Sequence, residues 1–154
     1  MLIDLAELGE EGQTYEGEEP PEVLGLSEAD EVTAAGPLKY RLTASRASDS
    51  LVVRGTVEAP IRFLCSRCTV SFERTLADRD FLRVFEEVRW DATVDLTPDM
   101  RETIILAFPS SPLCSADCRG LCPQCGKNLN AGSCGCAPKS RDGQWGALDG
   151  LRLS

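Results

Sequence analysis

The sequence predicts an α+β fold in which an antiparallel β-sheet of about four to six strands packs against one helix and leads into a cysteine-rich C-terminal segment. Apolar and polar residues alternate with a period of two in the first part of residues 37–112, which indicates the strands. One stretch with apolar residues at helical spacing follows. Six of the eight cysteines then fall within 23 residues, from Cys114 to Cys136. A chain of 154 residues fits one modest domain with a small appendage.

Residues 1–36 are predicted to be an acidic, largely extended arm. Residues 1–38 carry eleven acidic side chains and no basic one, and the glycines and the Pro20-Pro21 pair interrupt any regular pattern. Only the apolar residues near the start allow a short strand or turn against the body. The other residues carry sixteen bases, thirteen of them Arg, against fourteen acids. The net charge of −9 therefore disfavours indiscriminate nucleic-acid binding, while an Arg-rich body suits bidentate phosphate contacts.

A strand–turn–strand pattern opens the β-rich body. The run LKYRLTASRA alternates from Leu38 and reaches a turn at residues 48–50, after which LVVRGTVEAPIRFLC forms the second strand. Pro60 is expected to interrupt that strand. The run TVSFERTLADRDFLRVF resumes the alternation after Cys68. A strand, a CxxC turn and a further strand predict a hairpin that points the thiols of Cys65 and Cys68 to the same side.

The helix is predicted over about residues 97–108. Thr97 is placed as its N-cap, Pro98 as its first residue, and Asp99 in the first turn, where the helix dipole favours an acid. Pro109 ends the pattern. Its apolar stripe, which is expected to pack on the sheet, comprises Met100, Ile104, Ile105, Ala107 and Phe108.

Two further segments complete the predicted organisation. Residues 113–138 form the cysteine-rich segment, and residues 139–154 form a short helix that packs on the body. Trp145, Leu148 and Leu151 lie three residues apart in that last segment, which indicates an amphipathic helix.

The cysteine content predicts metal binding. The chain has eight cysteines and no histidine, so a metal in this segment would be held chiefly by thiolate sulfur. Four tetrahedral thiolates are the usual ligands of a structural zinc ion, and eight cysteines divide into two such sets. The N-terminus has neither the basic region nor the apolar stretch of a secretory signal, and cytosolic thiols are kept reduced. We therefore expect two zinc ions per chain; a disulfide-stapled secreted domain is the alternative.

The spacing of the cysteines indicates which of them share a metal. The run Cys122-Pro-Gln-Cys125-Gly126 is typical of a rubredoxin-like knuckle, in which the glycine takes a positive φ. Cys134-Gly-Cys136 begins nine residues after Cys125, close enough to complete a site without a long loop. The two predicted sites are Cys122, Cys125, Cys134 and Cys136, and Cys65, Cys68, Cys114 and Cys118.

Three alternatives to this arrangement stay open. A competing pairing joins the two CxxC units in one site and the other four cysteines in the second. In another arrangement only the C-terminal metal exists, and Cys65 and Cys68 are free or redox-active thiols. Iron–sulfur clusters are also held by four cysteines, although the compact knuckle and the missing ferredoxin-type run favour zinc.

The residue patterns do not indicate an enzyme. A metal with four thiolate ligands has no open position for water, and the chain has no His base, no GxSxG and no phosphate-binding GxxxxGK[ST]. The redox alternative would use Cys65 and Cys68 as a thiol–disulfide couple, with Arg67 lowering a thiol pKa. That CxxC lies between strands, however, rather than opening a helix. No apolar run approaches the roughly 20 residues of a membrane span, and neither a membrane nor a small-molecule substrate is expected.

The order of these motifs resembles the YceD family. The residues that carry the resemblance are CSRC in the β-rich part, then VDLTPDMRETIILAFPSSPLCSADCRGLCPQCGKNLNAGSCGC, then QWGALDGL. It runs most clearly from about residue 51 to residue 153, and the start MLIDLAELG is also similar. A family tail more usually reads Asp-Pro-Arg-Trp where this chain has Asp142-Gly-Gln-Trp145. The resemblance implies a cytoplasmic, bacterial, non-catalytic factor that supports synthesis, processing or accumulation of 23S rRNA during large-subunit assembly.

The partners that this resemblance implies are a 23S rRNA precursor, a large-subunit ribosomal protein, or both. The candidate contact residues are chosen by their charge and by their position beside the cysteines. The alternative for each basic residue is an ordinary surface charge without a partner molecule, and the alternative for the tryptophan is packing in the core. A second hypothesis is a zinc-dependent protein adaptor or thiol redox sensor without an RNA partner. The candidate contact residues are Arg62, Arg67, Arg119, Lys127, Lys139, Arg141 and Trp145.

Overall fold

A computed structural model describes residues 1–27 and 31–137 of the chain. Within those residues it contains seven strands, one 3-10 turn and one α-helix. The α+β prediction is confirmed, and the main sheet has five strands, within the predicted four to six. The elements are β1 (Leu2–Asp4), β2 (Gln13–Glu19), the 3-10 turn (Pro21–Leu24), β3 (Val32–Ala34), β4 (Leu38–Ala47), β5 (Ser50–Leu64), β6 (Ser71–Phe85), β7 (Thr93–Asp95) and α1 (Thr97–Leu106). The helix expected over residues 139–154 lies outside the described residues.

Strand β5 is the centre of the main sheet, and every pairing in it is antiparallel. It pairs with β6 along almost its whole length, and with β4 and then β3 along its other edge. Strand β2 pairs with β4. One face of the sheet carries the core, in which Phe63 and Phe81 are nearly inaccessible to solvent. Strands β1 and β7 form a separate two-stranded sheet.

Residues 1–27 belong to the folded body, in contrast to the arm expected from their composition. Strand β1 pairs with β7, and all seven residues of β2 pair with β4. Ile3, Leu5, Leu8 and Leu24 are buried in the same core as the sheet residues. A few apolar side chains therefore anchor the backbone while most of the acidic side chains face solvent. The charge composition does not predict this folding, because the exposed acidic residues are many and the buried apolar residues are few.

Pro60 lies inside β5 and does not interrupt it. The strand pairs with β4 as far as Glu58 and with β3 from Ile61 onward, so Pro60 falls where the neighbouring strand changes. Its carbonyl accepts a hydrogen bond from the Ala35 N–H at 2.8 Å. A missing N–H is tolerated at a position where the ladder does not need a donor.

Helix α1 ends at Leu106, shorter than predicted, and its N-terminus is capped differently. Leu96 occupies the N-cap position and makes no side-chain cap, while the Thr97 N–H donates to the Asp95 carboxylate at 2.9 Å. Thr97 is thus the first helical residue and not the cap. Met100 and Ile104 are fully buried against the sheet, as the apolar stripe predicts.

Arg83 attaches the helix to β6. Its guanidinium donates to the Asp99 carboxylate at 2.9 Å and to the Thr103 hydroxyl at 3.0 Å, and it lies 5.0 Å from the centre of the Phe81 ring. The residue is half-buried, so solvent screens these contacts less than those of an exposed pair.

The substitution Arg83→Ala is expected to lower the free energy of unfolding by about 1–2 kcal/mol, because it removes a charge-assisted contact between α1 and the sheet. Thermal melts followed by circular dichroism measure this. The matched control is Arg89→Ala, since Arg89 is exposed and its one ion pair with a described residue is to the exposed Asp91. That variant should change stability by less than about 0.5 kcal/mol. Equal effects of the two substitutions would contradict the role assigned to Arg83.

Candidate metal centres

The turn between β5 and β6 positions the first pair of cysteines. The Cys65 N–H donates to the Val70 carbonyl at 3.0 Å, and the Thr69 N–H donates to the Cys65 carbonyl at 2.9 Å. Thr69 takes a positive φ of 56°, which closes the turn. Cys65 and Cys68 are both buried, at 1% and 2% exposure, and lie on the same side of this tight turn.

The segment after α1 brings a second pair of cysteines to that turn. It is held by two hydrogen bonds, from the Ser66 N–H to the Pro112 carbonyl at 2.8 Å and from Arg74 to the Leu113 carbonyl at 3.1 Å. The result is the first cysteine group, in which all four Sγ atoms lie within 4.8 Å of one another. Its members are Cys65, Cys68, Cys114 and Cys118.

The sulfur separations in the first group suit a tetrahedral metal. The Sγ atoms of Cys65 and Cys118 are 3.7 Å apart, and those of Cys68 and Cys114 are 3.6 Å apart. A tetrahedral zinc with bonds of about 2.3 Å would separate its sulfurs by about 3.8 Å. The donor set and spacing therefore fit zinc with little rearrangement.

The second cysteine group lies in the C-terminal segment and is built around a knuckle. The Gly126 N–H donates to the Cys122 carbonyl at 2.9 Å, and Gly126 has the predicted positive φ, at 73°. The Cys122 N–H in turn donates to the Lys127 carbonyl at 2.8 Å. The four Sγ atoms again lie within 4.8 Å of one another, and they belong to Cys122, Cys125, Cys134 and Cys136.

The structure brings the cysteines together in the grouping that the spacing favours. The two CxxC units lie in different groups, so the competing pairing is not what is seen. Cys65 and Cys68 are also not an isolated thiol pair, since each has a sulfur of the segment after α1 within 4 Å.

Hydrogen bonds to sulfur prepare at least one thiol in each group for ionisation. Burial raises the pKa of Cys65, but the backbone N–H groups of Cys114, Arg67 and Cys68 outweigh it and lower that pKa to about 6. In the second group, backbone N–H groups of the knuckle, first that of Cys125, lower the pKa of Cys122 to about 6.

Other thiols in the same groups resist ionisation when no metal is bound. The neighbouring thiol of Cys68 raises the pKa of Cys114 to about 12, and that of Cys125 raises the pKa of Cys136 to about 12. Four clustered thiols cannot all carry a negative charge unless a cation balances them. The arrangement therefore suits a divalent cation rather than four free thiolates.

The two groups differ in burial. Three cysteines of the first group are at most 3% exposed, whereas Cys125 of the second group is an exposed residue and only Cys122 is buried there. The first group links the sheet hairpin to the segment after α1, while the second closes a local loop. A metal in the first group would therefore cross-link the folded body, and a metal in the second would hold together the loop from Cys122 to Cys136.

Three of the described candidate contact residues make contacts within the chain. Arg62 pairs with Glu73 at 2.7 Å. Arg67 and Lys127 each donate to a backbone carbonyl of the cysteine-rich segment, at 3.0 and 2.8 Å. Among the described residues, the Arg119 guanidinium has no hydrogen bond or ion pair. Three predicted contact residues lie outside the described residues: Lys139, Arg141 and Trp145.

An arginine pair lies on the solvent face of the sheet, and no motif in the sequence indicates it. Arg54 of β5 and Arg79 of β6 line an open pocket of about 540 Å³ together with Thr43, Asp80 and Leu82. Neither guanidinium has a hydrogen bond or ion pair within residues 1–27 and 31–137. The pocket lies at a β-bulge, where Arg79 and its neighbour oppose a single residue of β5. A β-bulge is hard to predict from the sequence. It adds one residue to a strand, so the apolar positions change from odd to even and the alternation otherwise continues.

No helix in the described part of the chain is long and apolar enough to cross a membrane.

Comparisons with known proteins identify relatives. The family model described as "Large ribosomal RNA subunit accumulation protein YceD" matches residues 77–152. An uncharacterised protein of Mycobacterium tuberculosis is 32% identical, over 96% of this chain and 79% of its own length. A protein of Arabidopsis thaliana named large ribosomal RNA subunit accumulation protein YCED homolog 1, chloroplastic, is 32% identical over 38% of this chain and 18% of its own length. Its namesake in Zea mays is 37% identical over 34% of this chain and 18% of its own length. No solved structure matches the chain significantly.

Proposed function

Because the chain belongs to the YceD family, we propose that it is a non-catalytic, cytoplasmic bacterial factor that supports the accumulation of 23S rRNA during large-subunit assembly. The observation that carries the proposal is the family match, whose residues 77–152 include helix α1 and six of the eight cysteines. The relatives with informative names are named for large ribosomal RNA subunit accumulation. The proposed role is therefore that of an assembly factor held in shape by metal ions.

Zinc is the metal that suits the two cysteine groups. Within residues 1–27 and 31–137 each group offers four sulfurs and no other ligand type, and such closed sets are typical of structural zinc sites. Zinc bound there would supply a cross-link between chain segments. A site with four protein ligands has no open position for a reacting water, which supports a role without catalysis.

The purified protein is expected to contain two zinc ions per chain, since the two groups share no ligand. Elemental analysis by mass spectrometry of protein purified without added metal measures both the metal and its stoichiometry. A stoichiometry of one, or a content of iron with the visible absorption of a cluster, would contradict this assignment.

Direct contact with rRNA is supported by basic side chains that have no partner in the described part of the chain. Most basic residues there already have a partner within the chain, so the unpartnered ones are few. Two of them line the pocket at the β-bulge. Each four-thiolate zinc site would carry a net charge of −2, which offsets the basic residues around it. The sheet face therefore suits phosphate contacts better than the surface next to the metals. The unpartnered basic residues are Lys39, Arg54, Arg79 and Arg119.

Crosslinking in the native host tests this contact. The tagged protein is crosslinked in cells and the RNA recovered with it is sequenced. The experiment compares the parent protein with the double variant Arg54→Glu/Arg79→Glu, the single variant Arg119→Glu and the control Arg89→Glu. Enrichment of 23S precursor that is lost in one of the first two variants and kept in the control would support direct contact. Recovery of no rRNA above background from the parent protein would contradict it.

A protein adaptor is the second candidate function, and the acidic N-terminal region favours it. Several exposed carboxylates there have no cationic partner among residues 1–27 and 31–137, and they suit a basic partner such as a large-subunit ribosomal protein. In the same crosslinking experiment, recovery of such a protein instead of rRNA would favour this candidate. The carboxylates are Glu10, Glu11, Glu18 and Glu22.

A further inference from the structure

A loop of the second cysteine group reaches back to the first. The loop spans residues 126–133 and connects Cys125 to Cys134, so both of its ends are attached to the second group. Its Leu129 N–H donates to the Gly120 carbonyl at 2.9 Å, which docks it beside the chain that leaves the first group. The conformation of this loop therefore depends on the second group, while its side chains are next to the first.

Asn130, in this loop, contacts a sulfur of the first group directly. Its Nδ2 amide donates to the Sγ of Cys118, a member of the first group, at 3.3 Å. Its Oδ1 accepts from the Arg119 N–H at 2.7 Å. The side chain is oriented by Asn128, whose Oδ1 accepts from both the backbone N–H and the Nδ2 of Asn130, each at 2.9 Å.

This contact acts on a sulfur that a metal would use. An N–H that donates to a thiolate stabilises the charged form, so the Asn130 amide favours the form of Cys118 that binds a metal. Asn130 itself is an exposed residue, so its side chain adds little to the packing of the core. Partners that hydrogen-bond to metal ligands commonly change metal affinity by about 10- to 100-fold.

We propose that Asn130 is a positioning residue that couples the two metal centres, so that metal bound in the second group raises the affinity of the first. The coupling rests on the proposed metal sites. It is reciprocal, since a coupling free energy between two sites acts equally on both. The chain would then fill its two sites cooperatively, and loss of metal from the exposed second group would loosen the buried one.

Titration with Co²⁺ in competition with a chelator tests the coupling, because thiolate-to-cobalt absorption reports bound metal independently of any biological activity. Cys134→Ser disables the second group only and leaves a single phase, which identifies the first group. The affinity of the first group should fall by about 10- to 100-fold in Cys134→Ser and by a similar factor in Asn130→Ala. The double variant should be no weaker than either single variant by more than about twofold, since both changes break the same link.

Two further variants separate the hydrogen bond to sulfur from other roles. Asn130→Asp keeps the acceptor for the Arg119 N–H but replaces the donor to sulfur with a carboxylate oxygen, so it should bind metal in the first group no better than Asn130→Ala. Gln13→Ala removes an exposed amide in β2, which contributes no ligand and no hydrogen bond to either cysteine group, so it should titrate like the parent protein.

The outcomes distinguish the coupling from the metal sites themselves. If Asn130→Ala binds Co²⁺ in the first group within about twofold of the parent protein, or if its effect multiplies fully with that of Cys134→Ser, the coupling is wrong and the sites stand. If the parent protein binds no Co²⁺ in either group, the metal assignment fails and the coupling fails with it.

Discussion

Replacing Cys68 by Ser is expected to reduce the metal content from two ions to one and to destabilise the whole folded body. Cys68 belongs to the first group, which ties the β5–β6 hairpin to the segment after α1. Because a structural metal binds only the folded chain, its binding free energy contributes to folding, and structural zinc contributes about 10–16 kcal/mol in small zinc-finger peptides. That exceeds or equals the total stability of most domains, about 5–15 kcal/mol.

Elemental analysis together with thermal melts measures this effect, and Cys125→Ser is its matched control. Cys125 is an exposed member of the second group. That group closes a local loop and does not link the C-terminal segment to the sheet. That variant should also lose one metal, but the melting transition of the β-sheet should change much less. A Cys68→Ser protein that keeps the parent Tm would show that the first group is not a structural cross-link.

Replacing Gly55 by Ala is expected to lower the free energy of unfolding by about 3 kcal/mol or more, since backbone strain and overpacking each cost about 1–3 kcal/mol. Gly55 has a φ of 155°, and a Cβ there would lie 2.1 Å from the Arg41 carbonyl oxygen and 2.9 Å from the Leu42 Cα. Both are backbone atoms of the neighbouring strand, so they cannot move away without breaking the β4–β5 ladder. The position adjoins the β-bulge between β5 and β6.

Chemical denaturation followed by circular dichroism measures the change at Gly55. Gly9→Ala is the matched control, because Gly9 has no positive φ and a Cβ there would meet no atom of a described residue within 4 Å. That variant should unfold within about 0.5 kcal/mol of the parent protein. If the two alanine variants unfold at the same denaturant concentration, the close approach of β4 to β5 is not a constraint on this fold.

Local spacing explains why the sheet, the helix and the second cysteine group could be predicted from the sequence, and the first group was then predicted from the four cysteines that remained. Alternation with a period of two is a direct consequence of strand geometry, and the short span from Cys122 to Cys136 leaves few ways to close a site. The position of Gly126 after the second cysteine of its knuckle already indicates a positive φ, as found.

The features that escaped prediction depend on contacts between distant residues. The N-terminal region pairs with β4 and β7 through backbone hydrogen bonds, which leave little trace in an acidic sequence. Pro60 is tolerated because it lies where the strand that pairs with β5 changes from β4 to β3. The place of that change depends on the topology of the sheet. Asn130 is one of two asparagines in a turn, and its contact with Cys118 becomes visible only when the two groups lie side by side.

The proposed role in large-subunit assembly is tested most directly by depleting the protein in its native host and measuring the ratio of mature 23S to 16S rRNA. The ratio is expected to fall while 23S precursors and incomplete large subunits accumulate, and the parent gene should restore the ratio while a Cys68→Ser gene should not. An unchanged ratio in cells that demonstrably lack the protein would contradict the proposed role.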